Sequence, residues 1–233
     1  MKFVAVLVLV FAIGCSGREP QASSSTATPV TPAASAAPGT SDAAASHAGR
    51  IVFLGDSLTA GLGLATTESY PALIGARLKQ LGYDYAVVNA GVSGDTSAGG
   101  LRRLDWSLEG DVRVLVVALG ANDGLRGLPP AETKKNLAAI LDRARERKIP
   151  VILAGMEAPP NNGPDYTKEF RAVYADLAAE YKVPFIPFLL QGVAGDPTLN
   201  QADGIHPNPR GAALVADLVW QQLQPLLQRP TDK

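Results

Sequence analysis

Five short apolar runs follow residue 49, and the stretches between them repeat apolar positions at helical spacing. Ile51-Val-Phe-Leu54 predicts a buried strand, broken by Gly55 and Asp56, with Ser57 where the chain turns toward a helix. A helix is expected from about Ser69 to Leu81, with Leu73, Leu78 and Leu81 facing inward and Gly82 ending it. Tyr85 to Asn89 reads as a second strand, Gly91 to Gly94 as a tight connection, and Thr96 to Leu104 as a helix. Val112 to Leu119 is almost continuously apolar, as a parallel strand covered on both faces requires. A long helix over Pro130–Arg147 carries Leu137, Ile140, Leu141 and Ala144, and Pro150 to Ala154 supplies another strand. Met156 to Asp165 is rich in turn residues. A helix over Thr167–Tyr181, a short strand over Pro184–Phe188 and an amphipathic helix over Arg210–Leu227 complete the pattern.

Strands alternating with helices at these intervals predict a three-layer α/β/α sandwich with a mainly parallel central sheet, flavodoxin-like in kind. A dinucleotide-binding fold shares that outline. Gly-Asp-Ser after the first strand, however, is neither a Gly-x-Gly-x-x-Gly loop nor a Gly-Lys-Ser/Thr phosphate loop.

The segment before residue 50 is of a different kind. Lys2 precedes the apolar run Phe3 to Ile13, and Gly14-Cys15-Ser16 follows; the run is short for a membrane span and reads as an export signal. This ending resembles a bacterial lipoprotein signal, with Cys15 as the lipidated residue and membrane anchor. Ala12 stands where such signals carry a bulky aliphatic residue, so plain secretory cleavage is the alternative. Residues 16–49 are mostly Ser, Ala, Thr, Pro and Gly and predict a flexible tether in which His47 is only a solvated side chain. The expected organisation is a signal over 1–15, a linker over 16–49 and one folded domain over 50–233.

Composition narrows the chemistry. The 233 residues are 46% hydrophobic, enough for one domain with a substantial core, and the net charge of -1 offers no basic field for nucleic acid. One cysteine allows no internal disulfide, and the single folded histidine makes a metal centre a poor fit. No cofactor is expected.

Three stretches carry candidate chemistry, two of them directly after apolar strands and the third near the C-terminus. Ser57 is a weak nucleophile until a base accepts its proton, and its bland alternative is a helix N-cap. His206 stands in Asp203-Gly-Ile-His-Pro, where a turn brings the Asp203 carboxylate to one imidazole nitrogen and leaves the other for Ser57. The alternative there is a capped loop before the last helix. Asn122, after the strongest strand, offers a neutral amide donor for a developing oxyanion, and Gly94 a closely approachable backbone N–H. Each can equally serve its own turn.

The combination Gly55-Asp-Ser-Leu, Gly94 within Asn89-Ala-Gly-Val-Ser-Gly-Asp-Thr96, Gly120-Ala-Asn-Asp123 and Asp203-Gly-Ile-His206 strongly resembles the four blocks of the SGNH, or GDSL, hydrolase superfamily. The blocks occur in the family's order and span about 51 to 220. The resemblance implies Ser57 as nucleophile, His206 as base and acid, and Asp203 as its orienting partner. It also implies an oxyanion hole from the Ser57 and Gly94 amides and the Asn122 side chain. Leu58-Thr-Ala-Gly61, Asn122-Asp-Gly-Leu-Arg-Gly127 and Pro160 to Phe170 look like the periplasmic arylesterase, acyl-CoA thioesterase and lysophospholipase branch. Ala121 and Asn162 depart from that branch's usual Gly and aromatic residue.

The implied activity is hydrolysis of aryl and short- to medium-chain acyl esters, with thioesters and lysophospholipids as further substrates, in the periplasm. Leu62, Leu64, Met156, Pro159, Pro160 and Tyr166 are candidates for the acyl-binding wall, with local packing as the alternative. Arg126 is a candidate for a polar leaving group or a merely solvated residue. A carbohydrate O-deacetylase would use the same residues. A noncatalytic envelope-binding lipoprotein on the same fold is the reading from a different class.

Overall fold

The computed structural model describes residues 49–228. Cys15, His47, the export signal and most of the linker therefore lie outside the described residues, as do the last five positions.

Five strands form one sheet in the order β2-β1-β3-β4-β5: β1 (Arg50–Gly55), β2 (Ala86–Gly91), β3 (Val112–Ala118), β4 (Val151–Ala154) and β5 (Phe185–Ile186). Every neighbouring pair is parallel. Ile51 to Leu54 and Val114 to Ala118 are almost wholly removed from water because β1 and β3 lie inside the sheet. β2 is an edge strand and is only half-buried.

The longer helices are α2 (Tyr70–Gln80), α6 (Pro130–Glu146), α7 (Pro164–Tyr181) and α8 (Pro209–Leu223). Helix α2 packs on α8, while α6 packs on α7 and on the short α3 (Ser97–Arg102). This is the layered α/β architecture that the alternating pattern predicts. Leu137, Ile140, Leu141 and Ala144 of α6 all reach the core, as their spacing requires.

The boundaries differ where tertiary contacts and caps override the pattern. Leu81 is not inward: it is the C-cap of α2 and 50% exposed. The turn after it closes with Tyr83 N–H donating to Leu78 O and Gly82 N–H to Lys79 O, with Gly82 at φ +75. The expected helix over Thr96–Leu104 stops at Arg102, and a separate turn, α4 (Leu104–Ser107), follows. Helix α7 starts three residues early because Pro164 and its neighbours fill a first turn that needs no N–H from proline. The strand over Pro184–Phe188 shortens to two residues, and α8 gives way at Gln224 to a 3-10 turn containing Pro225. Two one-turn helices, α1 (Ser57–Ala60) and α5 (Ala121–Leu125), are too short to register as periodicity.

Both of these short helices begin just beyond the C-terminal ends of β1 and β3. Chain order reverses between those strands, because β2 lies on one side of β1 and β3 on the other. Ligands of open α/β sheets bind at this crevice.

Candidate active site

Asp56 follows the last residue of β1 and caps α1, its Oδ1 accepting from Leu58 N at 3.0 Å. Ser57 is then the first residue of that helix. Gly55 is required on steric grounds: a Cβ there would meet Thr59 Oγ1 at 1.9 Å and Ala118 O at 2.9 Å. The serine is thus presented from a turn packed tightly on the sheet edge.

His206 arrives from the loop between β5 and α8. Leu199 to Asn208 folds back on itself: Asn200 bridges Pro207, Gln201 N–H donates to His206 O at 2.7 Å, and Asn208 N–H donates to Leu199 O at 2.9 Å. Asn208 caps α8 through Arg210 N and Gly211 N. Gln201 Nε2 donates to Leu62 O at 2.7 Å, tying the histidine loop to the loop after Ser57.

These supports bring Ser57 Oγ to 2.8 Å from His206 Nε2 and Asp203 Oδ2 to 2.7 Å from His206 Nδ1. Asp203 Oδ1 also accepts the main-chain N–H groups of His206 and Ile205. The His206 main-chain N–H first, then its ring and the Ile205 N–H, hold the Asp203 carboxyl down at about 2. An ionised carboxylate only accepts, so the Nδ1 nitrogen carries the proton and Nε2 is left to accept from the Ser57 hydroxyl. The arrangement can withdraw a proton from Ser57.

Asn122 is presented from α5. Its Nδ2 donates to Asp95 O at 2.9 Å and leans on Asp56 Oδ2 at 3.4 Å. Asp56 is buried, and that burial pushes its carboxyl up to about 6 against the opposing Leu58 N–H and His206. Gly94 sits at φ +83 in the turn Val92–Asp95, closed by Asp95 N–H to Val92 O at 3.1 Å. A Cβ on Gly94 would meet only Arg126 Nη2, at 3.9 Å, so the positive φ and not crowding favours glycine. Its N–H has no hydrogen-bond partner among the described residues. Arg126 donates to Gly94 O at 2.9 Å and so holds this turn.

A cleft of about 280 Å³ opens over Ser57, Asn122 and His206. Met156 lies on its wall, as does Pro159. Leu62 and Leu64 instead line a smaller recess that shares Ser57, Leu58 and Leu190 with the cleft. Pro160 is exposed in a 3-10 turn away from the lining, and Tyr166 donates its hydroxyl to Leu128 O while stacking on Phe170. Leu125, Phe188, Leu190, Ala194 and Ile205 are wall residues that the sequence did not single out. Leu125 ends the one-turn α5 and the others lie in the irregular chain between β5 and α8, where no periodicity marks a cleft side chain. Asp56 had a signal in its own motif, lying between the strand and Ser57, but its burial was not visible there.

Among the described residues no helix is long and apolar enough to cross a membrane. The profile of the GDSL-like Lipase/Acylhydrolase family matches residues 53–214. The chain is 47% identical over 178 residues to Esterase TesA of Pseudomonas aeruginosa, covering 76% of this chain and 89% of that protein. It is 39% identical over 184 residues to Thioesterase 1/protease 1/lysophospholipase L1 of Escherichia coli K12, covering 78% and 87%. A crystal structure of TesA superposes with a TM-score of 0.73 at 46% identity, covering 76% of this chain and 99% of that one.

Proposed function

The chain is a serine-type ester hydrolase of the GDSL-like lipase/acylhydrolase family, and we propose that it cleaves carboxylic esters through an acyl-enzyme on Ser57. The hydrogen-bond chain from Ser57 Oγ through His206 to Asp203 at the cleft carries this reading. In it, His206 takes the Ser57 proton as Oγ attacks the acyl carbonyl, and returns it to the departing alcohol. Water, deprotonated by the same imidazole, then attacks the acyl carbonyl, and the proton passes from His206 to Ser57 Oγ as the acyl–Oγ bond breaks and the acid leaves.

The oxyanion would be held by the Ser57 and Gly94 main-chain N–H groups and the Asn122 amide. Two observations support this. Ser57 N–H is at the start of a helix whose Asp56 cap is taken by Leu58, and Gly94 N–H is unpartnered among the described residues. With one Asn122 hydrogen held by Asp95 O at 2.9 Å, the planar amide fixes the direction of the other, whose long 3.4 Å contact with Asp56 Oδ2 leaves it available to a ligand.

A cleft of about 280 Å³ with a largely apolar wall favours aryl and short- to medium-chain acyl esters. Thioester and lysophospholipid cleavage are proposed on the likeness to the E. coli relative so named. The N-terminal signal pattern supports export to the periplasm, with lipidation of Cys15 as the proposed anchor.

The test is a hydrolysis panel on the full chain beside Ser57→Ala: p-nitrophenyl esters from acetate to palmitate, phenyl acetate, a thioester, a lysophospholipid and an acetylated sugar. Activity on aryl and shorter acyl esters that disappears in the variant is expected. Activity confined to the acetylated sugar would move the function to glycan deacetylation. Activity retained by the variant would remove Ser57.

A further inference from the structure

We infer that Arg103 is a positioning residue that sets the oxyanion donors through Asp95; the inference rests on the oxyanion reading above. Arg103 lies between α3 and α4, with its side chain 18% exposed. Its three guanidinium nitrogens each reach a different segment. Nε donates to Asp95 Oδ2 at 2.6 Å, Nη1 to Ala90 O at 2.6 Å, and Nη2 to Gly55 O at 2.8 Å. Gly55 is the last residue of β1, two before Ser57. Ala90 is in β2, and Asp95 closes the turn that contains Gly94.

The connection continues to the third donor. The main-chain carbonyl of Asp95 accepts from Asn122 Nδ2 at 2.9 Å, so the residue gripped by Arg103 through its carboxylate also aims the Asn122 amide. One side chain therefore ties together the strand end before Ser57, the turn of Gly94 and the acceptor of Asn122. The turn has few other supports: its own Asp95 N–H to Val92 O bond, Val92 N–H to Gly55 O, and the exposed Arg126 on Gly94 O. A planar fork with fixed donor directions suits three acceptors in three segments; a lysine ammonium does not reproduce it. Shielding matters too, since the Asp95 side chain is 17% exposed and the pair escapes most solvent screening. Oxyanion stabilisation depends on donors fixed before the charge develops, so a loosened turn costs rate more than substrate affinity.

The test measures kcat and KM of the full chain on a p-nitrophenyl ester, with kcat expressed per site titrated by a p-nitrophenyl phosphonate. Arg103→Met should lower kcat per titrated site about 10- to 100-fold while KM stays within about 3-fold. Arg103→Lys should stay low. Asp95→Asn keeps the main-chain carbonyl but removes the carboxylate charge, and should fall in the same direction by less; it also covers the case in which Arg103→Met does not fold. In an Asn122→Ala background the Arg103→Met loss should be smaller than in the wild type, because one of the donors that Arg103 positions is already gone while the Ser57 and Gly94 donors remain. Normal kcat per titrated site in both Arg103→Met and Asp95→Asn, with only a lower denaturation midpoint, would overturn the inference. So would a loss that multiplies in full on Asn122→Ala. Undiminished turnover of Asn122→Ala by itself would instead remove the oxyanion reading beneath it.

Discussion

Asp203 Oδ2 lies 2.7 Å from His206 Nδ1, while its other oxygen holds the main-chain N–H of that same histidine. One carboxylate therefore fixes both the backbone and the ring of His206. Asp203→Asn keeps the shape but can present an N–H to Nδ1, favouring the tautomer that cannot accept from Ser57. Turnover should fall at least about 10²-fold at pH 7 with the denaturation midpoint little changed, by analogy with serine-protease triads. A loss under about 3-fold would show that solvent orients the ring well enough at this exposed position.

Asp56 makes stability depend on pH in an unusual direction for a carboxylate. Burial raises it from 3.8 to about 6 in the folded protein, so the folded state binds this proton more tightly than the unfolded chain. Its contribution is complete below about pH 4 and is lost as pH rises through about 6, a swing of about 3 kcal/mol for roughly two units. Asp56→Asn should therefore gain stability over the wild type between pH 4 and pH 8, measured by urea denaturation. A difference that stays constant across that range would contradict the buried, weakly solvated carboxylate.

Legibility in the sequence followed the length scale of the signal. β1, β3 and α6 were readable because burial on both strand faces, or along one helix stripe, repeats over many residues. Helices α1 and α5 were not, because a single turn has no period, yet they carry Ser57 and Asn122. The four motif blocks compensated for that, since Ser57, Asn122 and His206 all face one cleft. The wall was harder to foresee. Pro160 shares the turn-rich segment 156–165 with Met156 and Pro159, Tyr166 lies just beyond it in α7, and only the folded path separates cleft residues from local packing. Arg103 had no sequence signal at all, because its acceptors are main-chain carbonyls and one aspartate brought together by strand pairing.

Gly55→Ala should report on the packing beneath Ser57. The added methyl has no room between Thr59 and the Ala118 carbonyl, and the latter is backbone in a buried strand. A loss of about 1–3 kcal/mol is expected from overpacking, with reduced turnover because Ser57 is two residues away. Wild-type stability and activity together would show that α1 moves off the sheet without cost.

Ala194 is a small, exposed residue on the cleft wall, in the loop after β5. Ala194→Trp should fill space used by longer acyl chains. The ratio of kcat/KM for p-nitrophenyl octanoate to that for the acetate should fall about 10-fold. Equal loss on both esters would place the acyl chain elsewhere, with the smaller recess at Leu62 and Leu64 the next candidate.

The central assignment is Ser57 as nucleophile, and the most direct measurement is peptide mass mapping after reaction with a p-nitrophenyl phosphonate. The 2.8 Å contact with His206 predicts one adduct per chain, located on Ser57, with stoichiometric release of p-nitrophenol. Ser57→Ala, folded to the same denaturation midpoint, should take up none. An adduct on another residue, or equal labelling of the variant, would contradict the account.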